Sequence, residues 1–145
     1  MTVHLVKLCV GIDSVLQLET FQRQRREQSR QAGAEALNRH FTRNTPRRAT
    51  EVLDGGSLYW VIRRQIRVRQ KILRLDELTD ENGRRLCGLI LDPQLIQTEP
   101  RSFRPFQGWR YMTVDDAPVD LDDLTDEPDD MPAEMRRELR SIGLI

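Results

Sequence analysis

The stretch TPRRATEVLDGGSLYWVIRRQIRVRQKILRL, residues 45–75, decides how the rest of the chain is read. Thr45 is placed to cap a helix, and Pro46 suits its first position, where no amide donor is needed. Gly55-Gly56 supplies the left-handed residue that stops that helix. Residues 57–62, SLYWVI, are rich in β-branched and aromatic side chains and predict a strand. Residues 66–75 alternate, which places Ile66, Val68 and Ile72 on one face and Arg67, Arg69 and Lys71 on the other. A short helix, a glycine stop and two strands, the second with a basic face, form the predicted central unit.

Upstream, residues 2–12 carry the near-continuous apolar run of Val3, Leu5, Val6, Leu8, Cys9 and Val10, the pattern of a buried strand. Asp13 or Ser14 caps a helix over 15–32, with Val15, Leu18, Phe21 and Leu16 as an apolar stripe confined to its first half. Its second half is Gln, Arg, Glu and Ser, which predicts a solvated face. Residues 38–43 form a candidate strand. Downstream, Asp80-Glu-Asn-Gly83 is a hairpin turn and residues 86–91 are the returning strand, apolar on both faces. Pro93, Pro100 and Pro105 make residues 94–106 read as an extended connection. The aromatic and arginine cluster 104–111, RPFQGWRY, follows.

The order of elements argues for an α+β fold: a mixed or antiparallel sheet curled towards a barrel, with flanking helices. One domain is expected over residues 1–112, then an acidic linker over 113–130 and a C-terminal helix over 131–145, capped by Asp130 with Met135, Leu139 and Ile142 on one face. The 145 residues suffice for one real core.

The formal net charge of zero hides an asymmetry. Residues 20–74 hold 14 Lys/Arg against 4 Asp/Glu, whereas residues 113–134 hold 10 acidic residues and no basic one. The two cysteines, Cys9 and Cys87, sit in apolar runs and imply no disulfide framework, which points to a reducing cytoplasm. No apolar run approaches the ~20 residues of a membrane span. The first residues lack the basic and small-residue features of a secretory leader.

Catalytic and metal signatures are missing. His4 and Cys9 point to opposite faces of one strand, and His40 and Cys87 stand alone, so no metal or cofactor is called for. Gly55-Gly56-Ser57 matches neither a phosphate loop nor a nucleophile elbow. The basic residues carry the better signal. Arg67, Arg69 and Lys71 project together, with Arg43, Arg47, Arg48 and Arg63 near in sequence, an arrangement that suits backbone phosphates. Tyr59, Trp60, Trp109 and Tyr111 are candidates for stacking an unstacked base. Trp109 is expected beside the Tyr59-Trp60 strand, and the acidic segment is expected over the basic face.

The combination of His4-Leu-Val-Lys-Leu-Cys-Val-Gly11, Thr42-Arg43, Pro46-Arg47-Arg48, residues 51–62, Arg69-Gln70, residues 104–111 and Asp116-Ala-Pro118 resembles an uncharacterised family of short alphaproteobacterial proteins, a domain of unknown function. That family's pattern has Lys-Gly where this chain has Arg63-Arg64: the charge is kept, and the glycine that a tight turn would use is not. Residues 43–91 also resemble, more distantly, the entry to PUA-like β-barrels, the superfamily of the ASCH and EVE domains. That resemblance implies recognition of RNA or a modified base. The Gly-x-Lys-x-x-Glu element of ASCH domains is not reproduced, since Leu58 and Val61 stand at the Lys and Glu positions, so no hydrolytic role is implied.

Two functions follow as expectations. One is a binding module for RNA or a modified nucleotide, through Arg43, Arg47, Arg63, Arg67, Arg69 and Lys71 with an aromatic pocket. The other is a protein-interaction or regulatory domain that uses the acidic segment and the C-terminal helix.

Overall fold

The structure, a computed structural model, describes residues 1–104 and 106–121. The expected C-terminal helix and the second half of the acidic linker, 122–130, lie outside these. Nine elements follow in order: β1 (Val3–Leu8), α1 (Val15–Gln31), β2 (Asn38–Thr42), α2 (Ala49–Val52), β3 (Ser57–Ile62), β4 (Gln65–Thr79), β5 (Arg85–Leu91), β6 (Ile96–Ser102) and β7 (Trp109–Thr113). The class is α+β as expected.

All seven strands join one mixed sheet in the order β2-β5-β4-β3-β1-β7, with β6 attached to β4 off that path. Among the described strands only β1 and β3 pair in parallel. Fifteen residues long, β4 serves two neighbourhoods: its first half pairs with β3 and β6, its second with β5. Among the described residues the hydrogen-bonded path ends at β2 and β7, so the sheet curls without closing.

Two bulges in β4 shape that curl. Val61 pairs with Ile66 and Trp60 with Val68, leaving Arg67 as the extra residue; Leu73 is extra between Ile72 and Arg74. Each extra residue shifts the strand's facing by one step and adds twist. The single alternating face expected from the sequence is therefore corrected. Ile66 packs with Val6, Tyr59, Val61 and Met112 on the outer face, whereas Val68 and Ile72 join Leu5, Leu58, Trp60 and Leu89 on the inner one. Phe103, Phe106 and Ala117 cover the outer cluster.

The helix α1 runs as expected from its Ser14 cap, whose hydroxyl accepts from the Gln17 amide at 3.1 Å. Only Val15 and Leu18 are buried, so its apolar docking is confined to the first half, while Gln22 and Arg26 of the second half hold the sheet through hydrogen bonds to Gln70 and Asn38. The second helix starts later than Thr45 and Pro46 suggest, at Ala49, and spans one turn. Gly55 is left-handed, the expected stop, but Gly56 has a different task. A Cβ there would fall on the Val52 and Val3 carbonyls, so glycine is what lets α2, β1 and the start of β3 meet.

Arg63 and Arg64 form the two-residue β3–β4 turn with φ of 52° and 66°. The turn is tight without glycine because the paired strands on either side impose it, against about 1–2 kcal/mol of strain per residue. The connection 94–106 contains a strand, β6, hidden from the sequence by Pro100. An edge strand tolerates proline, and β6 leaves the β4 ladder between Gln97 and Arg101, where Thr98 bridges to Asp120 instead. The aromatic cluster supplies β7, which pairs antiparallel with β1.

Candidate ligand-binding cleft at the sheet seam

The basic residues singled out by the sequence do not share one open face. Arg43, Arg47 and Lys71 are exposed. Arg63 sits in the β3–β4 turn, 3.7 Å from Asp13. Arg67, the bulge residue, is half-buried; its Nη2 donates to Gln65 Oε1 at 2.9 Å, and its Nε is buried with no partner among the described residues. Arg69 is committed within the molecule. Its Nε and Nη2 grip the Asp120 carboxylate at 2.8 and 2.7 Å, and Nη1 donates to Ser57 Oγ at 2.9 Å. The acidic segment thus folds back, as expected, at least as far as Asp120. Such a bidentate pair, with side chains 22% and 18% exposed, is worth more than a surface ion pair.

The four aromatics divide as well. Tyr59 is 4% and Trp60 3% exposed, on opposite faces of β3. Tyr59 packs edge-on to His4 at 5.0 Å, and Trp60 packs edge-on to His40 at the same spacing. The expected common platform is therefore corrected: successive residues of a strand cannot share a face. Trp109 shares the face of Trp60 but does not lie beside that strand as expected, because β1 stands between β3 and β7. Lys7 pairs with Trp60 across one edge of β1 and with Trp109 across the other, so the three lie in one cross-strand row. Trp109 and Tyr111 contact each other at 4.8 Å. They also tie the two ends of the sheet path together. Trp109 Nε1 donates to the Asn44 carbonyl at 3.0 Å, and the Arg48 amide donates to the Tyr111 hydroxyl at 3.1 Å.

Away from that tie, between the end of β1, the strand β2 and α1, the molecule holds a cleft of about 730 Å³. Its volume suits a nucleotide-sized ligand. Trp60, Phe21 and Phe41 contribute aromatic surface, and Lys7, Arg25, Arg39 and Arg74 contribute positive charge against Glu35. Arg74 is already paired with Asp76 at 2.7 Å. Lys7, Arg25 and Arg39 form no ion pair with a described carboxylate.

The cleft's back wall is held by Gln70, which is fully buried. It accepts from Trp60 Nε1, exchanges two hydrogen bonds with Gln22 of α1 and donates to the Asp92 carbonyl, all at 2.9 Å. This network fixes the Trp60 ring and the helix to the same point. Burial sets the protonation of the titratable lining. It pulls the Lys7 amine below its ordinary value. His40 is lowered to about 4 by burial and then by the charges of Lys7 and Arg25, so its imidazole is neutral. Burial raises the Cys9 thiol to about 12, which makes it an apolar contact and not a nucleophile. The β2 side chains of Asn38 and His40 each carry a buried nitrogen, Nδ2 and Nε2, with no partner among the described residues.

Lys7, Arg25, Asn38 and Arg39 were not among the residues the sequence singled out, and His40 was weighed only as a metal ligand. They come from three elements with no local pattern to link them. One signal was available: the predicted strand 38–43 alternates Asn38, His40 and Thr42 with Arg39 and Phe41, a polar set on the face that turns inward. Among the described residues no group of three His, Cys, Asp or Glu side chains is placed to hold a metal ion, and no helix is long and apolar enough to cross a membrane.

Compared with known proteins, residues 5–145 match the model of a family described as "Protein of unknown function (DUF1489)". No curated protein matches, and no solved structure matches.

Proposed function

We propose that this chain, which belongs to the DUF1489 family, is a binding module for single-stranded RNA or a modified nucleotide, and that one nucleotide unit enters the cleft at the sheet seam. The observation that carries this reading is the cleft itself: about 730 Å³, lined in part by Trp60, Phe21 and Phe41, with Lys7, Arg25 and Arg39 free of carboxylate partners among the described residues. Arg25 and Arg39 are exposed and Lys7 is half-buried, so together they present positive charge at the cleft that favours an anionic ligand, and phosphate supplies one. Aromatic surface beside it favours a planar ring. Arg43, Arg47, Arg63 and Lys71 are exposed and are the proposed contacts for flanking phosphates. Arg67 is worse placed, being half-buried, and Arg69 worse still, being held by Asp120. The mode of binding would be PUA-like, a base taken into a curled sheet, in a bacterial cytoplasm where Cys9 and Cys87 stay free thiols. The reading is of binding, without turnover.

A labelled single-stranded RNA titrated at two salt concentrations tests this. Affinity falls as salt rises, because each neutralised phosphate releases a counter-ion. Lys7→Met combined with Arg25→Gln weakens binding about tenfold or more, a loss of about 1.4 kcal/mol. Absence of binding to any single-stranded RNA or nucleotide overturns the reading. A second reading, a protein-interaction or regulatory domain, is favoured by one observation, the engagement of Arg69 by Asp120 at the start of the acidic stretch. It takes over in that event.

A further inference from the structure

We propose that Asn38 and His40 read the polar edge of the ring held in the cleft, so that the ligand is an uncharged heterocycle with hydrogen-bonding groups on its edge, and the site selects among bases. This rests on the nucleotide reading and adds to it: phosphate contacts hold a ligand without distinguishing bases, whereas edge contacts distinguish them.

The two side chains stand two residues apart on one face of β2, a terminal strand of the sheet, and both line the cleft. Asn38 is 7% exposed. Its Oδ1 accepts from Arg26 Nη1 at 2.8 Å, which fixes the amide so that Nδ2 is the group left to offer. That Nδ2 is buried and without a partner among the described residues, and so is His40 Nε2. A buried donor or acceptor left unsatisfied costs about 1–3 kcal/mol, and two on one wall of one cleft are a repeated cost that a ligand relieves. His40 is held edge-on to Trp60 at 5.0 Å with the ring planes 86° apart, so its orientation is set by packing. Burial, and then the charges of Lys7 and Arg25, favours the uncharged imidazole, whose ring nitrogens are one donor and one acceptor. Asparagine and a neutral imidazole together present both senses of hydrogen bond. Residues two apart on a strand are about 6.6 Å apart along it, so the pair suits two groups separated across a ring system rather than one atom. Both nitrogens are buried, so a ligand reaches them by side-chain rotamer changes at the cleft, an ordinary adjustment on binding.

The test uses the full chain, Trp fluorescence or calorimetry, the nucleoside 5′-monophosphates of different bases, and ribose 5-phosphate as the baseless probe. Asn38→Asp keeps the acceptor that Arg26 needs and turns the offered donor into an acceptor. His40→Phe keeps the packing on Trp60 and removes both nitrogens. Wild type is expected to bind at least one monophosphate about tenfold or more tightly than ribose 5-phosphate, and to spread the bases over a similar range. His40→Phe is expected to shrink that preference about tenfold while leaving ribose 5-phosphate affinity within about twofold; Asn38→Asp is expected to shrink it too, measured against its own ribose 5-phosphate affinity, because its added charge weakens every phosphate probe alike. Equal affinity for every monophosphate and for ribose 5-phosphate overturns the edge reading and leaves the nucleotide reading standing. So do variants that keep the wild-type preference, the result expected if only an ordered water satisfies the two nitrogens. Failure of every phosphate probe and of RNA overturns both. If either variant does not fold, the ¹⁵N shifts of His40 in the wild-type protein decide. Nucleotide is expected to move Nε2 and ribose 5-phosphate is not; equal response to both overturns the proposal.

Discussion

Single residues set two tests of stability. His4 and His40 are both held neutral by the fold. The Ser57 amide donates to His4 Nδ1 at 3.0 Å, which requires that nitrogen unprotonated, and burial lowers the His4 pKa first, then Arg69. Folded values below the ordinary 6.5 mean that this stability is complete above about pH 6.5 and is lost as pH falls towards the folded values, about 4 for His40. For His40 the loss reaches at most about 3 kcal/mol near pH 4. Melting curves between pH 7.5 and 4.5 should therefore show wild-type stability declining and His40→Phe declining less; parallel declines contradict it. Gly56→Ala should cost about 3 kcal/mol or more, or abolish folding, because the obstacle is backbone on two sides. A melting temperature within a few degrees of wild type contradicts that. The Gly-Gly pair was legible as a helix stop from sequence. That Gly56 works by close approach was not, since one of the two carbonyls it must clear belongs to Val3, far away in the chain.

At the scale of elements, strands β1, β3, β5 and the hairpin turn were legible because their apolar runs and the Asn-Gly signal are local. The faces of β4 were not. Alternation is read on the premise of an unbroken period of two, and the bulge at Arg67 breaks it between Ile66 and Val68. Nothing in Ile-Arg-Val announces that, because the bulge is a property of the pairing with β3. Strand β6 was missed for the complementary reason: Pro100 reads as a breaker, and only the partner strand reveals that the ladder passes around it. The buried Gln70 gives this scale its test. Gln70→Leu keeps the volume but leaves Trp60 Nε1 and both amide groups of Gln22 without their partner, and each buried unsatisfied group costs about 1–3 kcal/mol. We expect a loss of about 2–4 kcal/mol in chemical denaturation with altered Trp fluorescence. An unchanged midpoint would show that the network contributes little.

At the scale of the whole molecule, the α+β class followed from the order of elements, but the candidate site did not follow from the charge pattern. A run of arginines along one strand is conspicuous in sequence and became three different environments in space. Arg67 lies in a bulge, Arg69 is locked to Asp120, and Lys71 is exposed. The cleft is instead assembled from residues 7, 25, 38–40 and 60, which meet only because the sheet curls and leaves a seam that α1 closes on one side. Amide chemical-shift mapping of the ¹⁵N-labelled protein during titration with single-stranded RNA tests this most directly. The account predicts perturbations gathered on the end of β1 near Lys7, on β2 around Asn38 and His40, and on α1 near Arg25. Perturbations gathered on β4 at Arg67, Arg69 and Lys71, with the cleft unmoved, would contradict it.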